Sequence, residues 1–270
     1  MSTAIAAPTP APTNAGVRLI MKLIAALFAA AFIAWGAITL LNLMARHTFT
    51  VLSTYAGVHS LTVNSGDGDV RLKSAPAGTR LRIVERVSED LETPRRDSAL
   101  SGSGLLSLTG HCNILMSIYC SVDYTIAVPS GVSVHVRSSA GDITATGLTS
   151  TAPFSLESGE GDVNAFGISA PTVHLDSGAG DITARLTTPP RYLEASSGAG
   201  DITLTVPNVT YDVSASSGAG TVSDQGLRTD PSSPRRINVS AGAGDVTIRA
   251  SSSLPPGRPA KPKLPPRPGA

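Results

Sequence analysis

Acidic side chains recur at one position of a five-residue unit, and repeated carboxylates are the first residues in this sequence to suggest chemistry. The unit is Ser-Gly-x-Gly-Asp or a close variant, and its acids are Asp69, Asp142, Asp162, Asp181, Asp201 and Asp245. Carboxylate oxygens bind Ca²⁺, and two carboxylates flanking a glycosidic bond hydrolyse it. In a structural alternative, each Asp accepts hydrogen bonds from backbone N–H groups of its own turn and from the preceding Ser.

The spacing of these acids favours the structural role. Calcium-binding β-rolls repeat their Gly-Asp units about every nine residues, whereas this chain has one unit per twenty or so. A calcium column through Asp142, Asp162, Asp181 and Asp201 remains the alternative. A glycoside-cleaving pair needs two acids placed apart from the fold's own repeat, so we predict no catalytic residues, no cofactor and no enzymatic activity.

The glycine before each Asp marks a repeat of about twenty residues. From Gly141 the steps between these glycines are 20, 19, 20, 20 and 24. Apolar residues alternate with polar ones on both sides, as at Val173 and Leu175 before Gly180 and Ile182 after it. Alternation broken by glycine indicates strand, turn and strand. We predict an all-β fold, a β-solenoid of ~20-residue coils over residues 57–250, with a sandwich of hairpins as the alternative.

Two parts of the repeat domain depart from this pattern. Asp224 occupies an apolar position, so we expect the coil around Gly220 to be the loosest. Residues 74–131 are irregular, with strands predicted at 81–87 and 122–128, a loop at 88–98 and wider coils. This stretch holds both cysteines, Cys112 and Cys120. A disulfide is the predicted state, and free thiols or a zinc site with His111 are the alternatives.

An apolar segment precedes the repeats. Residues 23–44 contain no charged side chain, and 22 helical residues span roughly 33 Å, enough for a bilayer core of ~30 Å. We predict an uncleaved transmembrane signal-anchor helix over residues 18–46, with a cleaved signal peptide as the alternative. Arg18 and Lys22 precede the segment and Arg46 follows it, which places the N-terminus in the cytoplasm and residues 47–270 outside it.

Charge and composition describe the two termini. Residues 1–17 are predicted to be a disordered cytoplasmic stub, and residues 251–270 a disordered, Pro-rich basic tail suited to anionic lipid or wall polymer.

The whole chain has 21 Lys and Arg against 20 Asp and Glu, so it lacks the basic surface that nucleic-acid binding requires. His135 and His174 are predicted two coils apart on a solvated face, too distant to share a metal.

The S-G-x-G-D-[IV] unit and the stretch YTIAVPSGVSVHVRSSAGDITATGL (124–148) resemble a bacterial repeat family of membrane-anchored envelope proteins labelled putative adhesins. The resemblance covers about residues 57–250. It implies a right-handed β-solenoid-like fold outside the membrane and no known enzymatic activity. Thr221, Ala241 and Ser139 depart from the unit, and Thr221 is expected to interrupt the aspartate column.

These observations predict a non-enzymatic, membrane-anchored, extracytoplasmic β-solenoid that acts as an adhesin-like interaction module of the cell envelope. Its predicted partners are the lipid bilayer, through residues 23–44, and a wall polymer, a membrane protein or a second copy. The alternative function is an envelope-stress or regulatory membrane protein with a membrane partner. A β-helix enzyme acting on polysaccharides, with Asp162 and Asp181 as its acids, is the less favoured reading.

Overall fold

The computed structural model describes residues 15–44, 47–89, 93–112 and 120–251. The chain divides into two compact units, Met1–Arg46 and His47–Ala270. Most of the predicted stub, and the predicted tail from residue 252 onward, lie outside the described residues. Each unit is described separately below.

The first unit contains one helix, α1 (Ala15–Met44). Within it, Arg18–Leu40 has a mean hydropathy of 2.3 and is long and apolar enough to cross a membrane, and no other described helix has this property. Large apolar side chains are exposed on it, with Leu27 at 72% and Phe28 at 70%. Its length and composition suit a signal anchor or a transmembrane span.

The second unit is built from β-strands arranged in two ten-stranded sheets. The strands are β1 (His47–Tyr55), β2 (Ser60–Asp67), β3 (Val70–Ala75), β4 (Leu81–Glu89), β5 (Arg95–Leu100), β6 (Leu105–His111), β7 (Ser121–Pro129), β8 (Ser133–Ala140), β9 (Ile143–Thr146), β10 (Phe154–Glu160), β11 (Val163–Ile168), β12 (Thr172–Ala179), β13 (Ile182–Leu186), β14 (Tyr192–Ala199), β15 (Ile202–Pro207), β16 (Thr210–Ala219), β17 (Val222–Gln225), β18 (Arg228–Thr229), β19 (Arg236–Ala243) and β20 (Val246–Ser251). The first sheet has the order β1-β4-β7-β3-β9-β11-β13-β15-β20-β17, and the second has the order β18-β16-β19-β14-β12-β10-β8-β2-β6-β5.

Each glycine unit joins one strand of the second sheet to the next strand of the first, so one repeat forms one coil. Equivalent residues of neighbouring coils are parallel and in register, and Phe154 lies between Val134 and Val173. Val173 and Ile182 are fully buried between the sheets, as the alternation predicts. The repeats therefore form a β-solenoid-like stack. The alternative of stacked hairpins is wrong for them, because hairpins would make neighbouring strands antiparallel.

The coils do not stack strictly in chain order. The last coil, β19–β20, lies between the coil β14–β15 and the coil β16–β17. The coil around Gly220 is consequently the end of the stack, where Val222 is 47% exposed and Asp224 is exposed. Exposed inward positions agree with the expectation that this coil is the loosest.

The irregular middle does not form wider coils. β6 and β7 make one further coil beside β2–β3, while β4 pairs antiparallel with β1 and β7, and β5 pairs antiparallel with β6. The loop predicted at 88–98 contains the end of β4 and the first four residues of β5, and Arg96 of β5 donates a hydrogen bond to Glu85 at 3.0 Å. β5 is held as a strand by its pairing with β6, and the ion pair gives the buried Glu85 a partner. β1 begins ten residues before the predicted start of the domain.

Candidate interaction surface

A glycine turn fixes the start of seven of the ten first-sheet strands, one for each glycine unit. Gly161 has a φ of 141°, a conformation that glycine adopts without a steric penalty. A Cβ on Gly161 would also collide with the carbonyl oxygen of Gly141 in the neighbouring coil. The turn therefore needs glycine for two reasons, and it places Asp162 at the same point of its coil as Asp142 and Asp181.

The aspartates form a column along one edge of the stack, and each carboxylate bonds to the next coil. Asp142 Oδ1 accepts from the backbone N–H of Asp162 at 2.9 Å, and Asp162 Oδ1 accepts from that of Asp181 at 2.8 Å. The same bond joins Asp69 to Asp142, Asp181 to Asp201, and Asp201 to Asp245, at 2.7–3.1 Å. The structural role is thus realised between coils. The expected bonds within a single turn are not the ones that form.

The serine of each unit has a separate partner. Ser177 Oγ donates to the carbonyl oxygen of Gly161 at 2.9 Å, and Ser197 Oγ donates to that of Gly180 at 3.0 Å. These serines are buried, so the bonds satisfy hydroxyls that would otherwise be costly to bury. The buried hydroxyl of Ser138 is the exception and has no partner among the described residues. The prediction that serine donates to aspartate is therefore wrong.

The column is longer than the sequence repeat indicated. Asp123 Oδ1 accepts from the backbone N–H of Asp69 at 3.0 Å, which adds a seventh carboxylate that lies outside any glycine unit. Its signal in the sequence is the alternation Asp123-Tyr124-Thr125-Ile126, which matches the segment after each turn. Because the Gly220 coil lies at the end of the stack, Thr221 terminates the column and does not interrupt it.

Thr221 donates twice to the last carboxylate. Its backbone N–H and its Oγ1 reach Asp245 Oδ1 at 2.8 and 2.9 Å. These two bonds, the backbone bond foremost, hold the pKa of Asp245 below its ordinary value. Among the described residues, no three His, Cys, Asp or Glu side chains are grouped so as to hold a metal ion.

A second column runs beside the aspartates on the outer face of the first sheet. Five of its eight members are threonines, and we call it the threonine column: Thr125, Arg71, Thr144, Asn164, Thr183, Thr203, Thr247 and Ser223. The threonines are half-buried. On three of these strands an exposed cation lies two residues further along, namely Lys73, Arg185 and Arg249, and these cations form no ion pair within the described ranges.

The outer face of the second sheet is less regular and carries ion pairs between coils. Glu157 accepts from Arg137 at 2.8 Å and lies 3.8 Å from His135. Partial burial acts to raise the pKa of Glu157, but hydrogen bonds from Arg137 and Ser155 and the nearby positive charges outweigh it, so the pKa is lowered. The strand β10 lies between His135 and His174, which agrees with the prediction that they are two coils apart.

The two cysteines are joined. Cys112 and Cys120 form a disulfide with their Cα atoms 5.9 Å apart. The bond links the end of β6 to the start of β7, and it closes the connection between the two strands of their coil. Neither free thiols nor a zinc site with His111 describes this arrangement.

One protein-family model matches most of the chain. The model described as Toastrack DUF4097 matches residues 33–253. The chain belongs to this family. The match extends the likeness seen in the repeats to the end of α1, and the Toastrack fold is the β-solenoid-like arrangement described above.

Several solved structures of other proteins are similar to this chain over 76% of its length. A putative cell adhesion protein from Clostridium sporogenes is 16% identical with a TM-score of 0.47, and the match covers 76% of this Toastrack chain and 100% of the other. A putative adhesin from Bacteroides fragilis is 18% identical with a TM-score of 0.41, covering 76% and 97%. No curated protein matches the chain.

Proposed function

We propose that this Toastrack protein is a non-enzymatic, adhesin-like module of the cell envelope. In this proposal α1 holds it at the membrane with its N-terminus in the cytoplasm, and residues 47–251 lie on the extracytoplasmic side. One observation carries the proposal: the outer face of the first sheet places a polar residue at the same position of all eight coils, and in six of them that residue carries a hydroxyl.

A repeated face suits a repeated ligand. Neighbouring coils of a solenoid are ~4.8 Å apart, so the threonine column offers a hydroxyl at nearly every such step. A hydroxyl both donates and accepts hydrogen bonds, and so do the hydroxyls of a polysaccharide. Each contact is weak alone, but a polymer engages many at once, and linked contacts raise the overall affinity far above that of one.

The polymer that fits this face is a hydroxyl-rich wall polymer with acidic groups. Lys73, Arg185 and Arg249 flank the threonine column on one side and have no acidic partner among the described residues. Guanidinium and ammonium groups pair readily with carboxylate or phosphate. The aspartate column on the other side repels such groups, which fixes how the polymer lies across the face.

Binding is tested by sedimenting the detergent-solubilised full chain with insoluble cell-wall polymer. The variant Thr144→Val/Thr183→Val/Thr203→Val removes three hydroxyls while keeping shape and β propensity, and we expect it to weaken binding at least tenfold. The matched control, Thr62→Val/Thr109→Val/Thr172→Val, makes the same change on outward positions of the second sheet. Equal binding by the two triple variants would contradict the proposal.

The membrane arrangement has its own test. Protease added to intact cells should remove residues 47–251 and leave a membrane-bound fragment containing α1. Protection of the repeat domain in intact cells, with cleavage only after lysis, would overturn the proposed orientation. Recovery of the repeat domain free in the medium, lacking residues 15–44, would show that α1 is a cleaved signal.

A further inference from the structure

The strand β1 is an unprotected sheet edge. It forms one margin of the first sheet, and its register with β4 runs without a bulge from His47 opposite Glu89 to Tyr55 opposite Leu81. Its sequence, HTFTVLSTY, has no Lys, Arg, Asp, Glu, Pro or Gly. Within the described residues, no strand pairs with the side of β1 that faces away from β4. A long edge of this kind is a template for another strand.

The other sheet edges carry the devices that prevent such pairing. β5 contains Arg95, Arg96 and Asp97. β17 is four residues long and has Asp224 at an inward position. At the remaining edge, β18 covers the start of β16, which also contains Asp212. Short length, edge charges and inward charges all oppose edge-to-edge association. β1 alone among these edges has none of them.

The side chains of β1 complement themselves in an antiparallel pair. Paired residues must point to the same side of the sheet, so the paired residue numbers must add to an even sum. With Val51 opposite Val51 of a second copy, all nine residues find partners. Thr50 then faces Leu52, a side chain that is 62% exposed in the single chain, and Phe49 faces Ser53.

We propose that β1 pairs antiparallel with β1 of a second copy of this chain, centred on Val51, so that the two first sheets become one sheet of twenty strands. The pairing is a two-fold, self-limiting interface, because it consumes the unprotected edge of both copies. The basic tail does not suit this role. It has seven prolines in its last twenty residues, and proline has no N–H to donate to a strand ladder.

Cysteine substitutions test the register. Val51→Cys places the two thiols opposite each other, within the Cα distance that a disulfide needs. Thr54→Cys is the matched control on the same strand, because the pairing separates its two copies by about 20 Å. The native cysteines are bonded to each other. We expect mild oxidation of the full chain in detergent to cross-link Val51→Cys at least tenfold faster than Thr54→Cys. Equal cross-linking, or none, would overturn the proposal.

Charge substitutions test the association itself. Thr50→Lys/Leu52→Lys sets lysine opposite lysine twice across the interface, whereas Thr50→Lys/Leu52→Glu sets lysine opposite glutamate twice. Both variants change the same exposed positions, so their folds should be equally stable by circular dichroism. We expect the Lys/Glu variant and the wild type to have the mass of a dimer by light scattering and the Lys/Lys variant that of a monomer. A monomeric wild type, or a dimeric Lys/Lys variant, is incompatible with the pairing.

Discussion

Replacing Asp162 separates the two contributions that the aspartate column makes to stability. Its carboxylate accepts a hydrogen bond from Asp181 and repels the carboxylates of Asp142 and Asp181, each ~4.8 Å away. In water-like surroundings each repulsion costs about 0.9 kcal/mol, so removing the charge relieves about 1.7 kcal/mol before salt screening. Asn removes the charge but keeps an acceptor oxygen, whereas Ala removes both.

The relief of repulsion is common to both variants and cancels in their difference. What remains is the hydrogen bond, which contributes about 1 kcal/mol to stability when neutral. We therefore expect Asp162→Ala to unfold about 2–4 °C below Asp162→Asn in thermal melts of the full chain in detergent. The melting temperature of the wild type should also rise more with added NaCl than that of either variant, because salt screens the repulsion.

The matched control is Asp176, which lies on the outer face of the second sheet. Its carboxylate accepts no hydrogen bond from the described residues, so Asp176→Asn and Asp176→Ala should melt within about 1 °C of each other, as surface changes away from specific contacts usually do. If Asp162→Ala were as stable as Asp162→Asn, the column would not be held by these bonds and the reasoning would fail.

Three further predictions follow from single contacts. Arg96→Ala should lower the free energy of unfolding by about 3 kcal/mol in urea titrations, because it leaves Glu85 buried without its partner, and Arg96→Ala with Glu85→Leu should recover most of that loss. Arg137→Ala should raise the pKa of Glu157 measured by NMR, since it removes a hydrogen bond that holds this pKa down. A carboxyl with a lowered pKa contributes stability that is lost as the pH falls through that pKa. The variant should therefore lose less free energy of unfolding on acidification than the wild type does. Burial raises the pKa of Tyr211 to about 12, so stability should fall as the pH rises from about 10 towards 12, and Tyr211→Phe should flatten that slope in melts at alkaline pH.

The coils were predictable from sequence because each position of the repeat has one physical requirement. Val173 and Ile182 must be apolar to fill the space between the sheets, and Gly180 must lack a Cβ. The alternation around each glycine therefore indicates both the strands and their buried face. Asp224 shows the same rule in reverse, since an acid at an inward position is tolerated where no further coil covers it.

The order of the coils was not predictable in the same way. In-register neighbours have almost interchangeable side chains, so the sequence of β19 does not record that it lies between β14 and β16 and not beyond β16. The hydrogen bond that the Asp181 carboxylate accepts from the backbone N–H of Asp201 could not be predicted for a related reason. A carboxylate after a glycine turn can accept from its own turn or from the next coil, and only the stacking distance decides between them.

The position of the last coil has a consequence for how the molecule is made. β16 and β17 reach the rest of the stack only through β19 and β20. During synthesis β16 and β17 leave the ribosome before β19 and β20 do. They cannot reach their final position in the stack until residues 236–251 have emerged and paired with β14 and β15. β19 and β20, which are made after β16 and β17, thus insert between them and the rest of the stack. A protein that ends before residue 236 would lack the coil β19–β20, and the coil β16–β17 would lose the strands that it pairs with.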